Sequence, residues 1–304
     1  MNQVSFPGLG ISLEIDPIAL RIFGWPIHWY GIIIALGFLL AVGYCSRVSK
    51  QYGITQDDIM DMLLYAVPLS IVGARLYYVT FYLDLYRRED GTLDFAAMVR
   101  IWDGGIAIYG AVLMSALVVF LFCKWKGIRV LAFWDLGSIG LMIGQAVGRW
   151  GNFVNMEAYG RETTLPWRMG VYGWVNGAWQ YMEVHPTFLY ESLWNLLGLA
   201  LVVFVVAKHR KFDGQIFATY VFWYGLGRSW IEGLRTDSLY LFGTGLRVSQ
   251  CLALLSCLAA AVWLFVQYRK PHGPEDLWVN TQACQERLGQ AEKKSKEENS
   301  HDKT

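Results

Sequence analysis

Seven runs of the chain stay apolar over about the 20 residues that a helix needs to cross a bilayer. They lie near 29–46, 59–82, 105–123, 130–150, 187–207, 215–234 and 248–267. The pattern predicts an all-α integral membrane protein with seven transmembrane helices. No internal repeat is visible among the runs, which argues against a transporter built from inverted halves. Ahead of the first run, residues 1–26 lack the basic stretch and short apolar core of a cleavable signal peptide. Their weak amphipathicity predicts a segment lying on the membrane surface. Beyond the last run the chain turns polar with charges of both signs, and residues 271–304 are predicted to form a disordered tail. The expected organisation is one transmembrane domain, 1–270, followed by that tail.

The polar connections between the runs fall into two alternating sets. One carries Arg47 and Lys50, then Lys124, Lys126 and Arg129, then Lys208, Arg210 and Lys211, then Arg269 and Lys270. The other carries Arg87, Arg88, Arg100, Arg161, Arg168, Arg235 and Arg247, spread over longer loops with acidic partners. Dense basic connections stay in the cytoplasm. This predicts an N-terminus outside, a C-terminus in the cytoplasm, and outer segments at 83–104 and 151–186.

Composition supports the membrane class. The chain is 55% hydrophobic and 17% charged, where a soluble domain is nearer a quarter charged. A net charge of +1 gives no general attraction to nucleic acid. The cysteines, Cys45, Cys123, Cys251, Cys257 and Cys284, form neither a disulfide framework nor a metal-ligand spacing. No Walker or GxGxxG pattern stands in the right context. No metal or cofactor is implied.

The informative residues are the polar ones inside the apolar runs. His28 and Tyr30 open the first run, Arg75 with Tyr77 and Tyr78 closes the second, and Tyr109 opens the third. Arg149 and Asn152 close the fourth, Glu191 opens the fifth just after His185 and Pro186, and Arg228, Glu232 and Arg235 close the sixth. With the orientation set by loop charge alone, all of them fall at the outer third of the bilayer. Arg228, Glu232 and Arg235 are four and three residues apart and share a helix face. A lone arginine in lipid costs roughly 2.5–3.5 kcal/mol even on the lenient insertion scale. The arginines are therefore expected to face inward with partners. A structural Arg228–Glu232 pair, an interfacial cap at His28, and an aromatic belt at Trp29 and Tyr30 are the plainer readings and stay open. Arg161, Arg168 and Arg235 are read as snorkelling to the interface, although Arg235 also shares the Arg228–Glu232 face, and the tryptophans of 167–179 are read as headgroup anchors. Arginine's planar fork fits phosphate oxygens. At that depth the available anion is a phospholipid headgroup. A lipid-modifying enzyme, a non-catalytic lipid-binding protein and an anion transporter all remain possible on this ground.

The block GRWGNFVNMEAYGR, 148–161, resembles the signature of the prolipoprotein diacylglyceryl transferase family. HWYG at 28–31, GARLYYVTFY at 73–82, IWDGGIAIYGA at 101–111, HPTFLYE at 185–191 and YGLGRSWIEGLR at 224–235 resemble its other blocks, in the family's order. The likeness covers roughly residues 15–270. It implies a catalytic domain that moves the diacylglyceryl group of phosphatidylglycerol onto the lipobox cysteine of a preprolipoprotein. The product is a thioether, glycerol 1-phosphate leaves, and the place is the bacterial cytoplasmic membrane. It implies catalytic roles for Arg149, Arg228, Glu232 and Tyr109. It implies substrate contacts at Tyr30, Asn152 and Arg235, and His28, Arg75, Asn155, Glu157, Gly160, His185 and Glu191, polar or glycine positions in the same blocks, are expected to join them. Many members have His-Gly-Gly where this chain has Tyr109-Gly110-Ala111, and some are similar in carrying tyrosine. Tyr109 is then a proton relay or a hydroxyl that bonds the glycerol headgroup.

Overall fold

The computed structural model describes residues 2–175, 177–236, 240 and 245–301. The strands are β1 (Asn2–Phe6), β2 (Ile11–Ile15), β3 (Ile18–Ile22), β4 (Trp25–His28), β5 (Met169–Val175) and β6 (Ala178–Val184). The helices are α1 (Trp29–Val48), α2 (Gln56–Phe81), α3 (Phe95–Val99), α4 (Ile108–Lys126), α5 (Val130–Asn155), α6 (Thr187–Leu201), α7 (Gln215–Leu234), α8 (Val248–Tyr268) and α9 (Gln282–His301). Helix predominates. Among the described residues six helical segments are long and apolar enough to cross a membrane: Trp29–Tyr52, Gln56–Phe81, Ile108–Lys126, Val130–Asn155, Thr187–His209 and Val248–Tyr268. The other predicted run, 215–234, is helix α7, but Gln215, Thr219, Arg228 and Glu232 lower its apolarity. Where the sequence pattern predicts one domain and a tail, the chain divides into two compact units. One is Met1–Arg47 with Trp134–Asp276, the other Val48–Phe133 with Leu277–Thr304.

In the first unit α5 buries Asp135, Leu136, Ser138, Ile139, Met142 and Ala146. Their three- and four-residue steps put them on one helix face. Three other helices use that helix. Gly37 of α1 lies against Val147, where an added Cβ would stand 3.2 Å from the valine Cβ. Ser192 of α6 donates to the Ala146 carbonyl at 2.8 Å. Asp135 accepts from the Gly214 and Phe217 N–H groups, each at 2.8 Å. Those are orphan donors at the start of α7, so the carboxylate caps α7 from a different helix. Helices α6 and α7 are joined by two stacked tryptophans, Trp194 and Trp223, 4.5 Å between ring centroids. Each indole donates to the other's carbonyl, at 2.9 and 2.8 Å. Helix α8 packs closely on α7 at Gly225, where a Cβ would meet the Ala253 carbonyl oxygen at 2.6 Å.

The N-terminal segment, predicted to lie on the membrane as an amphipathic stretch, forms strands over most of residues 2–26 instead. The local reason is alternation: Val4 is buried between Gln3 and Ser5, the period of a strand with one covered face. Strand β1 sits between β2 and β5 in an antiparallel sheet of order β2–β1–β5–β6. Val4, Met169, Val171 and Val184 pack with Phe188 of α6, and Phe153 of α5 lies against them. The sheet therefore covers the end of α5 and the start of α6. Strands β3 and β4 form a separate hairpin, turned by Phe23 and Gly24 at φ 49° and 84°. Positive φ at both central residues is what a type I′ two-residue hairpin turn requires.

In the second unit α2 and α4 approach through glycines. A Cβ on Gly73 would meet the Gly110 carbonyl oxygen at 2.8 Å, and Ser70 and Ser115 bond at 2.7 Å. Small residues and hydroxyls are how helices pack where lipid removes the hydrophobic drive. The tail predicted to be disordered contributes to this unit. Trp278 and Cys284 are buried, Trp278 Nε1 donates to the Gly53 carbonyl at 3.2 Å, and Arg287 pairs with Asp58. Mean polarity hid these few anchors among the charges around them.

Candidate functional site

Charges that the sequence pattern scatters over three apolar runs meet in the first unit. Arg149 comes from the last turns of α5, Glu191 from the start of α6, and Arg228 and Glu232 from the last turns of α7, with Arg235 next after it. Glu191 Oε2 pairs with Arg149 Nη2. Its Oε1 lies 3.2 Å from Arg228 Nη1 and 3.4 Å from Arg235 Nη1. The second fork nitrogen of Arg228 is 2.6 Å from Glu232 Oε2, one helical turn on. Ser249 Oγ donates to Glu232 Oε1 at 2.6 Å, and Arg247 donates to the Glu232 carbonyl. The side chains of Arg149, Arg228 and Arg235 are 22%, 17% and 11% exposed, those of Glu191 and Glu232 6% and 2%. The carboxylates lie behind and the guanidinium groups in front.

The signature segment surrounds this cluster. Arg149 Nη1 is 3.3 Å from Asn152 Oδ1, and Asn152 Nδ2 donates to Glu157 at 2.8 Å. Tyr30 lies across Gly151, where a Cβ would stand 2.7 Å from the ring. Met156 and Ala158, on either side of Glu157, have φ of 53° and 57°. This left-handed backbone is rare without glycine and persists when neighbours hold it. Here the Glu157 N–H donates to the Asn152 carbonyl at 3.0 Å, and Thr187 Oγ1 donates to the Ala158 carbonyl at 2.5 Å. Gly160 donates to the His185 carbonyl at 3.0 Å and bridges Arg235. A Cβ there would come within 2.7 Å of the His185 Cβ. The loop from 156 to 161 is thereby fixed between the start of α6 and the end of α7. His185 Nδ1 lies 3.2 Å from Tyr190 Oη. Burial, and then the charge of Arg161, hold its imidazole below the ordinary pKa.

The other expected residues lie elsewhere. His28 ends β4, exposed and paired with Ile18, and Asn155 is the last residue of α5. Arg75 and Tyr109 belong to the second unit. Tyr109 is exposed in the first turn of α4. Arg75 donates to the carbonyls of Ala97, Met98, Gly104 and Gly105, at 2.7, 2.8, 2.5 and 2.7 Å. Its donors are directed at the backbone of residues 97–105. Sequence reasoning did not anticipate Ser249 and Arg247, whose link to Glu232 depends on α8 packing beside α7. Nor did it give Glu191 its place among three arginines. The only signal was a carboxylate at the start of an apolar run.

Among the described residues the cluster gathers the forks of Arg149, Arg228 and Arg235 around Glu191 and Glu232. A guanidinium fork has the geometry to pair with oxyanions such as carboxylate and phosphate. A multi-pass membrane protein with a recessed cluster of arginines and glutamates is the class that fold and site define. The family model of prolipoprotein diacylglyceryl transferase matches residues 17–266, and the chain belongs to that family. It is 41% identical over 275 residues to the phosphatidylglycerol–prolipoprotein diacylglyceryl transferase of Lactiplantibacillus plantarum, covering 87% of this chain and 93% of that one. The relative of the same name from Finegoldia magna is 42% identical over 256 residues, 84% of this chain and 97% of the other. That from Streptococcus equi subsp. equi is 40% identical over 261 residues, 84% and 96%.

Proposed function

We propose that this protein transfers the diacylglyceryl group of phosphatidylglycerol to the lipobox cysteine of preprolipoproteins in the bacterial cytoplasmic membrane. The observation that carries the reading is the cluster of Arg149, Arg228 and Arg235 around Glu191 and Glu232. In the reaction the cysteine sulfur bonds to the terminal glycerol carbon of the diacylglyceryl group. The bond from that carbon to the phosphate oxygen breaks, and glycerol 1-phosphate leaves with the electron pair. Charge grows on the leaving phosphate as the bond lengthens. Arg149 and Arg228 stabilise that charge, more strongly at a recessed site than in water. Glu232 holds Arg228 to its fork geometry from behind. Asn152 and Glu157 order Arg149 and the loop beside it, and Tyr30 and Gly160 shape the same end of the unit.

The thiol, with a pKa near 8.5, must lose its proton to attack. The role of Tyr109 as relay or headgroup donor rests on the family resemblance, and either needs its hydroxyl. Arg75 is assigned to holding the outer loop rather than to substrate.

The test is transfer from phosphatidylglycerol to a lipobox peptide by purified protein, read by mass spectrometry. Wild type is expected to give the diacylglyceryl adduct and free glycerol phosphate. Arg228→Ala is expected to lose at least about a hundredfold in kcat, the scale for removing one donor to a developing oxyanion. Tyr109→Phe is expected to lose about tenfold, a hydrogen bond's worth. Folded wild type with no adduct overturns the catalytic reading in favour of a lipid-binding relative. Full activity in Arg228→Ala removes the phosphate role of that arginine.

A further inference from the structure

The cluster contains a carboxylate whose place is at odds with simple substrate contact. Glu191 is the more deeply buried partner, 6% exposed, while the side chains of the three arginines around it are 22%, 17% and 11% exposed. Its two oxygens engage forks from α5, from α7 and from the residue just beyond α7. An incoming phosphate meets those same forks from the front. Each of the two principal arginines is already divided between acceptors: Arg149 between Glu191 and Asn152, Arg228 between Glu191 and Glu232. The phosphate therefore shares or takes over fork donors that Glu191 holds in the empty site.

We propose that Glu191 is a positioning residue that competes with the phosphate for these arginines, keeping the forks assembled when the site is empty and speeding the departure of glycerol phosphate. The inference rests on the reading of this cluster as the phosphate site. Its physical basis has two parts. Three arginines without a central counter-charge repel one another, and their long side chains spread, so the forks need an anion to converge. Once a phosphate is bound, the same anion becomes a like charge on the far side of shared guanidinium groups and opposes it. Over roughly 6 Å at an effective dielectric near 20, that opposition amounts to about a hundredfold in affinity, and losing the assembled forks offsets about tenfold of it in a variant without the charge. Glu232 is placed differently: it pairs with Arg228 one turn away on the same helix and accepts from Ser249.

Glu191→Gln keeps the shape and removes the charge. By calorimetry it is expected to bind glycerol 1-phosphate about tenfold more tightly than wild type. In transfer assays kcat should fall, and KM for phosphatidylglycerol should fall with it, because product leaves slowly. A purely structural role would raise KM or unfold the protein without tightening product binding. Glu191→Asp draws the charge back by one methylene and should lie between, about threefold tighter. If the glutamine variant does not fold, the aspartate variant decides. Unchanged or weaker binding of glycerol 1-phosphate in the folded variant overturns the proposal. A wild type that transfers nothing and binds no glycerol phosphate overturns the functional reading beneath it. Wild-type turnover without tightening in the variants overturns Glu191's role alone.

Discussion

Arg228 and Glu232 stand out in the sequence because charges are rare in apolar runs and four residues bring side chains together on a helix. That much needs only helical geometry, and the pair is 2.6 Å apart. Glu191 was visible as an unusual residue, but its three arginine partners were not, because they come from segments 37 to 44 residues away and from α5. His185 is another residue whose state depends on neighbours. Burial and Arg161 depress its pKa, so the fold favours the neutral imidazole. A lowered folded pKa means the unfolded chain binds the proton more readily. The contribution to stability is then full above the ordinary value of about 6.5 and is lost as pH falls through the folded pKa. The His185 ring is expected to titrate below 6.5 by NMR. The fall of the melting temperature on acidification should shrink in His185→Gln. A ring titrating above that value would remove the argument.

At the scale of elements, close packing decides what substitution tolerates. Gly225 faces the Ala253 carbonyl and the Cys257 Cβ, at 2.6 and 2.9 Å from where a Cβ would stand. Ala at this helical position gains about 1 kcal/mol of helix propensity. Forcing α7 from α8 costs roughly 1–3 kcal/mol, so Gly225→Ala is expected to lower the melting temperature. At Gly137 in α5 nothing lies within 4 Å of an added Cβ, and Gly137→Ala should be neutral or stabilising. Equal melting shifts for the two would contradict this account of α7 and α8. The sheet shows what the pattern held unread. MGVYGWV and AWQYMEV alternate on either side of Asn176-Gly177, a strong hairpin signal, and the strands pair from Met169↔Val184 to Val175↔Ala178. Trp174 and Trp179 pair across them at 5.6 Å. An indole can serve at a headgroup and in a strand alike, so residue type alone did not disclose the two-residue period.

For the whole molecule, the loop charges propose that the N-terminus lies outside and the C-terminus in the cytoplasm. Cysteines introduced at the exposed Glu89 and Lys208 test this with a membrane-impermeant thiol reagent on intact cells. Glu89→Cys is expected to be labelled directly and Lys208→Cys only after permeabilisation, and the reverse pattern inverts the topology. The apolar runs, the rare charges within them and the family signature were all determined by sequence alone. Each is a property of residue type and local spacing, which burial in lipid makes costly to violate. The two units, the docking of Trp278 and Cys284 beside Gly53, and the sheet over the ends of α5 and α6 were not. Most of all, the convergence of Arg149, Arg228 and Arg235 on Glu191 was decided by tertiary structure. Which charges share a carboxylate depends on how helices far apart in the chain are rotated about their axes, and that is set by glycine contacts, stacked tryptophans and caps acting together.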